Sequence, residues 1–499
     1  MLDLLLERNA SGLQATAGTL RVACTRGRNM TGPGAGPKAK TMAPDARSAA
    51  VLGVLKEQLA GLAGRIAEPK LAGSLEYFAG AAAWAEQNLQ ASERAAEYRG
   101  RLEDLSGRAR DLLGDAHAAS PGHDTGQTIE SLGEAAERGV AGARELLDEL
   151  LRTVTAIEEG SAERAGPDPT GAPAQVDAEQ MTAYLRKRFG EDAVAHDVAY
   201  ISGGFSKHTI LVSATFEGSR QDIVFRQVPK GRHEEDLPFE FAVLEHVWAP
   251  DLPIPEPLWI EASHNDLGGP FLVTRRAAGS NLGDVFGANA SVPEQTCLDL
   301  ADFLAQLHRV DTTPLEKAPV EPMRTPDEIR QVIEVMAARA EDATGIGPRL
   351  AAVLGWLRAH IPDTGGPPSL LHGDVGLHNA LVENDRLTAM LDWERAHFGD
   401  PAEDLAYLRP SLEPVYPWQA FVDRYVQAGG SPPDPAAERF YTVWQDTWRH
   451  IQCLTHGENF FNTRAVPAMI AGFVLAPRFL QSAVDSAFGT GTRSETAVA

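Results

Sequence analysis

The 499-residue sequence predicts an α+β fold in which an all-α helical bundle precedes a small β-rich lobe and a large helical lobe. Three observations predict it. Apolar residues recur with helical spacing through residues 43–160, five short β-prone runs enclosing a single helix follow, and helices dominate again from Val292 onward. A cleft between two such lobes is where ligands tend to bind.

Composition limits the class of protein. A chain of this length exceeds one ordinary core, and 43% hydrophobic with 23% charged residues indicates globular domains. The net charge of -24 opposes extended contact with nucleic acid or anionic lipid, since both require clustered Lys and Arg. We therefore expect no nucleic-acid partner and no membrane, and any anionic ligand needs local cations and a metal.

The three cysteines are far apart and include no CxxC pair. They support neither a disulfide framework nor a cysteine zinc site, and no apolar run reaches the roughly 18 residues of a membrane helix. We expect a reducing, cytoplasmic location.

The first 42 residues are basic and Gly-rich, unlike the acidic remainder. They predict an unstructured extension translated from upstream of a start at Met42, with a transit peptide as the alternative. Residues 43–160 read as consecutive helices of an antiparallel bundle with solvated charged faces and no catalytic constellation. Such a bundle could dock a partner protein or self-associate.

A linker is predicted at 161–176, which is rich in Pro, Gly and Ala and lacks large apolar residues. It separates the bundle from the small lobe, 177–280, and the large lobe, 281–499. Asp177 and Gln180 then have the spacing of a helix N-terminus, and Gly190 that of its end.

The small lobe is predicted to contain five strands and one helix. The helix covers Leu237–Trp248, between the third and fourth strands. The strands are His196–Ile201, Thr209–Phe216, Asp222–Val228, Glu256–Ala262 and Pro270–Arg276. A further β pair, Ala380–Val382 and Leu387–Leu391, interrupts the large lobe.

The most informative segment contains His372, Asp374 and Asn379 in the order H-x-D-x-x-x-x-N, the spacing of a kinase catalytic loop. Asp392 follows a short apolar strand. Phosphoryl transfer needs a base for the acceptor hydroxyl and oxygen ligands for Mg²⁺. We therefore predict Asp374 as the base, His372 as the residue that orients the loop, and Asn379 and Asp392 as metal ligands in a bilobal, protein-kinase-like fold.

Each motif also has a structural interpretation. HGD and LDWE could be a buried turn and a strand end, although finding both in this order favours the catalytic interpretation. Asp404, in the first turns of the next helix, could either accept hydrogen bonds from the catalytic-loop backbone or be a surface carboxylate favoured by the helix dipole.

The nucleotide-binding residues are predicted in the small lobe. Gly203, Gly204, Ser206 and Lys207 lie between two strands, where backbone N–H groups can approach phosphates, although a Gly-Gly hairpin turn gives the same pattern.

Two charged residues follow this loop in the order expected of a kinase. Arg226 occupies the third strand as the candidate phosphate-binding cation, and Glu240 lies in the following helix as its expected partner. An ordinary surface ion pair between the two is the alternative.

Residues 195–480 resemble the aminoglycoside phosphotransferase and choline kinase superfamily, in particular bacterial phosphotransferases related to kinase domains fused to acyl-CoA dehydrogenases. The matching stretches are SGGFSKHT, VFRQVP, FEFAVLEHV, GGPFLVTRRAAG, LAQLHRVD and LLHGDVGLHNALVENDRLTAMLDWERAHFGDPAEDLAYL. The resemblance implies ATP and Mg²⁺ as cofactors.

The resemblance also implies site residues. The backbone of Thr274, Arg275, Arg276 and Ala277 is implied as the hinge that meets adenine. Two departures matter: Arg226 stands where many members have Lys, and Glu394, where protein kinases have the Gly of DFG, could contact a second metal.

The favoured hypothesis is an Mg-ATP-dependent kinase acting on a small-molecule hydroxyl. The resemblance favours a hydroxyacyl-CoA thioester as the phosphate acceptor, and an aminoglycoside, a macrolide or a sugar alcohol is the alternative acceptor. Acidic residues of the large lobe, including Glu403, Glu413 and Asp423, would suit a cationic drug. The substrate-side candidates are Trp393, Glu394, Trp444, Arg449 and His450, although a core position is favoured for Trp444. The alternatives are a pseudokinase or nucleotide-binding regulatory module, and a chain that works mainly through its N-terminal bundle.

Overall fold

The computed structural model describes residues 98, 100–113, 125–160, 176–201, 207–228, 236–282, 291–315, 325–363, 368–463 and 471–489, all within the unit Ser48–Ala499. The predicted extension, residues 43–97 of the predicted bundle and linker residues 161–175 lie outside the described residues.

Three described helices precede the lobes: α1 (100–113), α2 (Thr125–Glu137) and α3 (Ala143–Gly160). They are helical, as the apolar spacing predicts. Their apolar faces share one hydrophobic core with helices of the large lobe, where Leu105, Ile129 and Leu147 pack together with Leu354, Trp356, Phe440 and Phe488. The apolar faces of these three helices are therefore covered within the chain, and the predicted separation into domains stays a prediction.

Helix α4 (Ala178–Phe189) opens the small lobe with the predicted capping residues. The Asp177 carboxylate accepts hydrogen bonds from the N–H groups of Glu179 and Gln180, and the Gln180 side chain accepts one from the Asp177 N–H. This reciprocal pairing satisfies N–H groups that have no partner inside the helix. Gly190, with φ of 102°, ends the helix as predicted.

A five-stranded antiparallel sheet forms the body of the small lobe, in the order β1-β2-β3-β5-β4. Its strands are β1 (Val194–Ile201), β2 (His208–Phe216), β3 (Ser219–Gln227), β4 (Pro257–Glu261) and β5 (Phe271–Arg275), so all five predicted strands are confirmed with shifted ends. Helix α5 (Leu237–Val247) connects β3 to β4, as predicted. Alternate residues of β2, including Ile210, Val212 and Phe216, are buried, because successive side chains of a strand point to opposite faces.

The large lobe combines helices with two small sheets. Its strands are β6 (Ser280–Asn281), β7 (Ser369–Leu371), β8 (Ala380–Glu383), β9 (Arg386–Met390) and β10 (His397–Gly399), ordered β6-β8-β9 and β7-β10. Its helices are α6 (Glu294–Leu307), α7 (Pro326–Thr344), α8 (Pro348–Ala359), α9 (Ala402–Leu412), α10 (Trp418–Gln427), α11 (Pro435–Thr463) and α12 (Ala476–Phe488). Short 3₁₀ turns occur at Thr313–Leu315 and Leu377–Asn379, and a π-helical turn, Ala471–Leu475, precedes α12.

A second hydrophobic core runs under the predicted catalytic loop. Val375 and Leu377 of that loop pack in the same cluster as Val243 and Leu244 of α5 and Phe398 of β10. Apolar residues of the loop therefore belong to a core that includes both lobes. None of the described helices is long and apolar enough to cross a membrane.

Candidate active site

The H-x-D-x-x-x-x-N segment leaves β7, passes through the 3₁₀ turn Leu377–Asn379 and enters β8. The side-chain N–H of Asn379 donates to the Asp374 carbonyl oxygen at 2.9 Å, and the Leu391 N–H donates to the Asn379 carbonyl oxygen at 2.8 Å. The β8–β9 hairpin thus returns the chain to the loop, so Asp392 directly follows a residue that is hydrogen-bonded to Asn379.

The buried carboxylate of Asp404 anchors the loop backbone. It is fully buried and accepts hydrogen bonds from the N–H groups of His372 and Gly373, each at 2.9 Å. His308 Nε2 lies 3.1 Å from the same carboxylate. Burial alone would raise the pKa of Asp404, but the hydrogen bond and charge of His308 outweigh it and hold that pKa below its ordinary value. The surface-carboxylate interpretation of Asp404 is therefore wrong.

Two positions in the site have left-handed backbone. Gly373 has φ of 74°, and a Cβ there would collide with the carbonyl oxygen of Arg395, so this turn requires glycine. Asp392 has φ of 68°, which is uncommon for a residue with a side chain. Backbone strain of this kind tends to occur at functional sites, where the surrounding structure holds it in place.

The Asp374 side chain is largely buried, with 18% of its surface exposed. Its Oδ1 lies 3.6 Å from His378 Nε2 and has no hydrogen-bond partner within the described ranges. Burial would raise the pKa of Asp374, but His378, Arg395 and the Tyr407 hydroxyl together lower it well below its ordinary value. The carboxylate is therefore ionised at neutral pH and able to accept a proton.

His372 is fully buried and packs against Trp393, with 4.6 Å between the ring centroids. The Asp374 N–H donates to its Nδ1 at 3.3 Å. Burial lowers the pKa of His372 despite the nearby carboxylates, so the ring is neutral and supports the loop without adding charge.

The small lobe contributes a buried ionic cluster. Lys207 Nζ lies 2.5 Å from Glu240 Oε2 and 2.8 Å from Glu394 Oε2, and Arg226 Nη2 lies 2.8 Å from Asp392 Oδ1. Although burial would lower it, the charges of Glu240 and Glu394 raise the pKa of Lys207, which stays protonated. Both lobes are joined here, because Glu394 and Asp392 belong to the large lobe.

This pairing corrects the sequence-based expectation. The direct partner of Glu240 is Lys207 rather than Arg226, because the Arg226 guanidinium instead donates to Thr209 and Asp392. Nor is Glu240 part of a surface ion pair, since only 3% of the residue is exposed. Gly203, Gly204 and Ser206 of the predicted glycine loop lie outside the described residues.

The predicted hinge, Thr274–Ala277, is partly engaged in the sheet. The N–H groups of Arg275 and Arg276 donate to the carbonyl oxygens of Glu256 and Asp222. Thr274 is buried within β5, whereas Ala277 is partly exposed beyond the strand. Any backbone donor for adenine would therefore come from Ala277 rather than from these two arginines.

Two substrate-side candidates, Trp393 and His450, prove to be core residues, as does Trp444, for which a core position was favoured. Trp444 is buried and donates from Nε1 to Glu403, Trp393 donates from Nε1 to the Met390 carbonyl oxygen, and buried His450 contacts the Ala476 carbonyl oxygen through Nδ1. Arg449 and Glu394 keep part of their surface, with 15% and 26% of the side chain exposed.

The acidic residues that were predicted to suit a cationic ligand already have partners within the chain. Glu403 is 1% exposed and accepts hydrogen bonds from Trp444 and Gln445. Glu413 pairs with Arg409, and Asp423 accepts from Gln419.

Three residues near Asp374 were not recognised from the sequence: His378, Arg395 and Tyr407. Spacing could have indicated two of them. His378 follows Asp374 by four residues, and Tyr407 follows Asp404 by three, which places it on the same face of α9. Arg395 adjoins Glu394 in the chain and carries no such signal.

Comparison with known proteins agrees with this architecture. Residues 197–441 match the model of the phosphotransferase enzyme family. The structure resembles a candidate aminoglycoside phosphotransferase from Ralstonia eutropha JMP134, with 19% identity, a TM-score of 0.50 and coverage of 62% of this chain and 98% of that one. Macrolide 2'-phosphotransferase MphH from Brachybacterium faecium is 23% identical over 58% of this chain and 97% of its own, with a TM-score of 0.43.

None of the curated proteins matches the chain. The structural likeness to the Ralstonia protein shows that the two lobes have the kinase-like fold of that group. The match of residues 197–441 to the phosphotransferase enzyme family agrees with the resemblance that the sequence shows to the aminoglycoside phosphotransferase superfamily.

Proposed function

We propose that this protein is an Mg-ATP-dependent kinase that transfers the γ-phosphate of ATP to a hydroxyl group of a small molecule. The observation that carries the proposal is the convergence of an ionised Asp374 with Asn379 and, through the β8–β9 hairpin, with Asp392. The match to the phosphotransferase enzyme family supports the reaction type.

In the proposed reaction the acceptor oxygen forms a bond to the γ-phosphorus while the bond from that phosphorus to the β–γ bridging oxygen breaks. ADP leaves with the electron pair of that bond. The acceptor's proton passes to the Asp374 carboxylate, which also orients the hydroxyl. The hydrogen bonds from the loop N–H groups to Asp404 keep this base in place.

The residues fit a magnesium ion. Because the Asn379 side-chain N–H is committed to the Asp374 carbonyl, its amide oxygen is left for a ligand, and Asp392 supplies a carboxylate. Within the described part of the chain, no group of three or more His, Cys, Asp or Glu side chains could hold a metal. Two protein oxygens complemented by phosphate oxygens and water are typical of Mg²⁺, which would neutralise charge on the transferring phosphate.

Two cations, each paired with carboxylates, lie on the side proposed for the ATP phosphates. Arg226 can offer a bidentate fork, and Lys207 a point charge at the end of the predicted glycine loop. Glu240 and Glu394 hold Lys207, so the phosphate-binding side is preorganised before nucleotide enters.

The alternative, a pseudokinase, is disfavoured because the base and both metal ligands are present together in the loop and hairpin. The acceptors that we propose to test are hydroxyacyl-CoA thioesters, aminoglycosides, macrolides and sugar alcohols. A cytoplasmic location accords with the use of ATP.

Mg-ATP binding and ADP release test the proposal. Wild-type protein should melt at a higher temperature with millimolar Mg-ATP, because a ligand that binds the folded state stabilises it. Asp392→Asn should largely abolish this shift. Asp374→Asn should keep the shift but release ADP at least ~100-fold more slowly in the presence of an acceptor.

Asp423→Asn, on the exposed side of α10, is the matched control and should behave as wild type. Absence of any Mg-ATP shift in the wild-type protein, or full turnover by Asp374→Asn, contradicts the proposal.

A further inference from the structure

The feature that the proposed reaction leaves unused is the Arg395 side chain. Its guanidinium lies over two aromatic rings, 5.7 Å from the Tyr407 centroid and 5.1 Å from the Trp448 centroid. Among the described residues it forms no ion pair and no hydrogen bond, although its charge acts on the Asp374 carboxylate, and the residue is partly exposed. A flat cation packed on aromatic faces keeps its N–H edges available for an anion.

The neighbouring cations are different. Arg226 is committed to Asp392, and Arg449 donates to the Tyr407 carbonyl oxygen and lies 3.4 Å from Asp446. Arg449 also stacks on Tyr407, with 3.9 Å from its guanidinium carbon to the ring centroid. Tyr407 is therefore flanked by two guanidinium groups, of which Arg395 is the one without an acidic partner among the described residues.

Arg395 lies beside the base. Its carbonyl oxygen packs against Gly373 of the catalytic loop, and its charge acts on the Asp374 carboxylate. The Tyr407 ring beneath it bears a hydroxyl that helps to lower the pKa of Asp374. All these contacts are with the large lobe, whereas Lys207 and Arg226 contact Glu240 and Asp392 at the nucleotide side.

We propose that Arg395 binds an anionic group, a carboxylate or a phosphate, on the molecule whose hydroxyl Asp374 activates. The inference rests on the proposed kinase function and narrows its acceptor to anionic compounds. A cationic aminoglycoside would be repelled by the Arg395 guanidinium beside the base. The carboxylate of Glu403 could not attract the aminoglycoside instead, because it is buried. The overall charge of -24 does not oppose this choice. A cation in direct contact with an anionic group interacts with it more strongly than distant, solvent-screened charges do.

A competing explanation is that Arg395 only keeps Asp374 ionised. In that case its loss would slow the phosphorylation of every acceptor equally, whatever its charge. Acceptors that differ in charge but share the reacting hydroxyl separate the two explanations.

The test measures ADP release with Mg-ATP for charge-matched acceptors. One pair is 3-hydroxybutyryl-CoA and the uncharged N-acetylcysteamine thioester of the same acid, and the other is glycerol 3-phosphate and glycerol. Glucosamine, glucose and glucose 6-phosphate form a third set, whose members are cationic, neutral and anionic. The wild-type enzyme should prefer the anionic member. In Arg395→Gln the ratio of kcat/KM for the anionic member to that for the neutral one should fall ~10-fold or more, as expected for one charge-assisted hydrogen bond.

Arg339→Gln is the matched control. Its guanidinium also lies over Trp448, at 5.4 Å, but contacts neither Tyr407 nor the catalytic loop in the described structure. It should keep the wild-type ratio, and Arg395→Lys should restore part of it.

The same compounds are tested for their effect on the melting temperature of the Mg-ADP complex, so that binding is seen even without turnover. A shift by anionic members that Arg395→Gln loses supports the proposal. Preference for neutral or cationic members, an unchanged ratio in Arg395→Gln, or no response to any anionic member overturns it. A wild-type protein that does not bind Mg-ATP refutes instead the kinase proposal on which this inference rests.

Discussion

Replacing Asp404 by Asn removes one negative charge from the buried support of the catalytic loop while keeping the side chain's shape. In the wild-type protein the carboxylate accepts from the His372 and Gly373 N–H groups and contacts His308. The amide has one oxygen and one NH₂ group. Whichever way it turns, an N–H donor of the loop faces another donor.

The expected loss of stability follows from these contacts. A hydrogen bond to a charged group contributes about 1.5–3 kcal/mol, and a buried N–H left without an acceptor costs about 1–3 kcal/mol more. The sum is about 2.5–6 kcal/mol, which brackets the roughly 3–5 kcal/mol found when one member of a buried charged pair is removed. Since the free energy of unfolding of a protein is only about 5–15 kcal/mol, the change should be plainly measurable.

Urea unfolding of wild type and Asp404→Asn at pH 7, with Asp423→Asn as an exposed control, measures this difference. The pH dependence supplies a second readout. Because the pKa of Asp404 is lowered in the folded state, its contribution is fully present above its unfolded pKa of about 3.9 and is lost as pH falls through the folded pKa. The gap between wild type and Asp404→Asn should therefore be constant near neutral pH and narrow only in acid.

Equal stability of Asp404→Asn and wild type at pH 7 would refute the reasoning. So would a gap that stays unchanged as the pH falls below about 3.9, since protonation of this carboxylate should close it. Asp423→Asn should stay within about 0.5 kcal/mol of wild type, as is usual for exposed positions.

Two further substitutions test the geometry of the site. Lys207→Met removes the buried cation that pairs with Glu240 and should lower the free energy of unfolding by about 3–5 kcal/mol, whereas Lys187→Met, at an exposed pair with Asp266, should change it by less than about 1 kcal/mol. Equal effects of the two substitutions in urea unfolding would argue against a buried ionic cluster. Gly373→Ala adds a collision with the Arg395 carbonyl to the strain of a positive φ, so it should lose both stability and ADP release. Gly190→Ala has the strain of a positive φ but open space around it, so it should lose about 1–3 kcal/mol of stability and keep its ADP release. Similar ADP release by the two variants would contradict the predicted collision.

Features that depend on short stretches of chain could be predicted from the sequence. The capping box of Asp177 and Gln180 follows from a three-residue spacing, and the strands follow from alternating β-prone residues between turn signals. The loop from His372 to Asn379 is recognisable because the residues that phosphoryl transfer needs lie close together in the chain.

Partner choice between distant segments could not be predicted. Order along the chain suggested that Arg226 pairs with Glu240, yet the strand register places Arg226 beside Thr209, and Lys207 takes Glu240 instead. Likewise, nothing in the sequence distinguishes buried Glu403 from exposed Asp423 as a ligand contact.

The sequence by itself determined that this chain has a kinase-like pair of lobes, and it places Asp374, Asn379 and Asp392 in the order expected of a base and two oxygen ligands, because these features depend on periodicity and spacing within a few residues. Only the tertiary structure decided which cation holds Glu240 and that Arg395 lies over Tyr407 beside Asp374. The physical reason is that these contacts join segments brought together by packing, where burial, register and the competition among charges choose the partner.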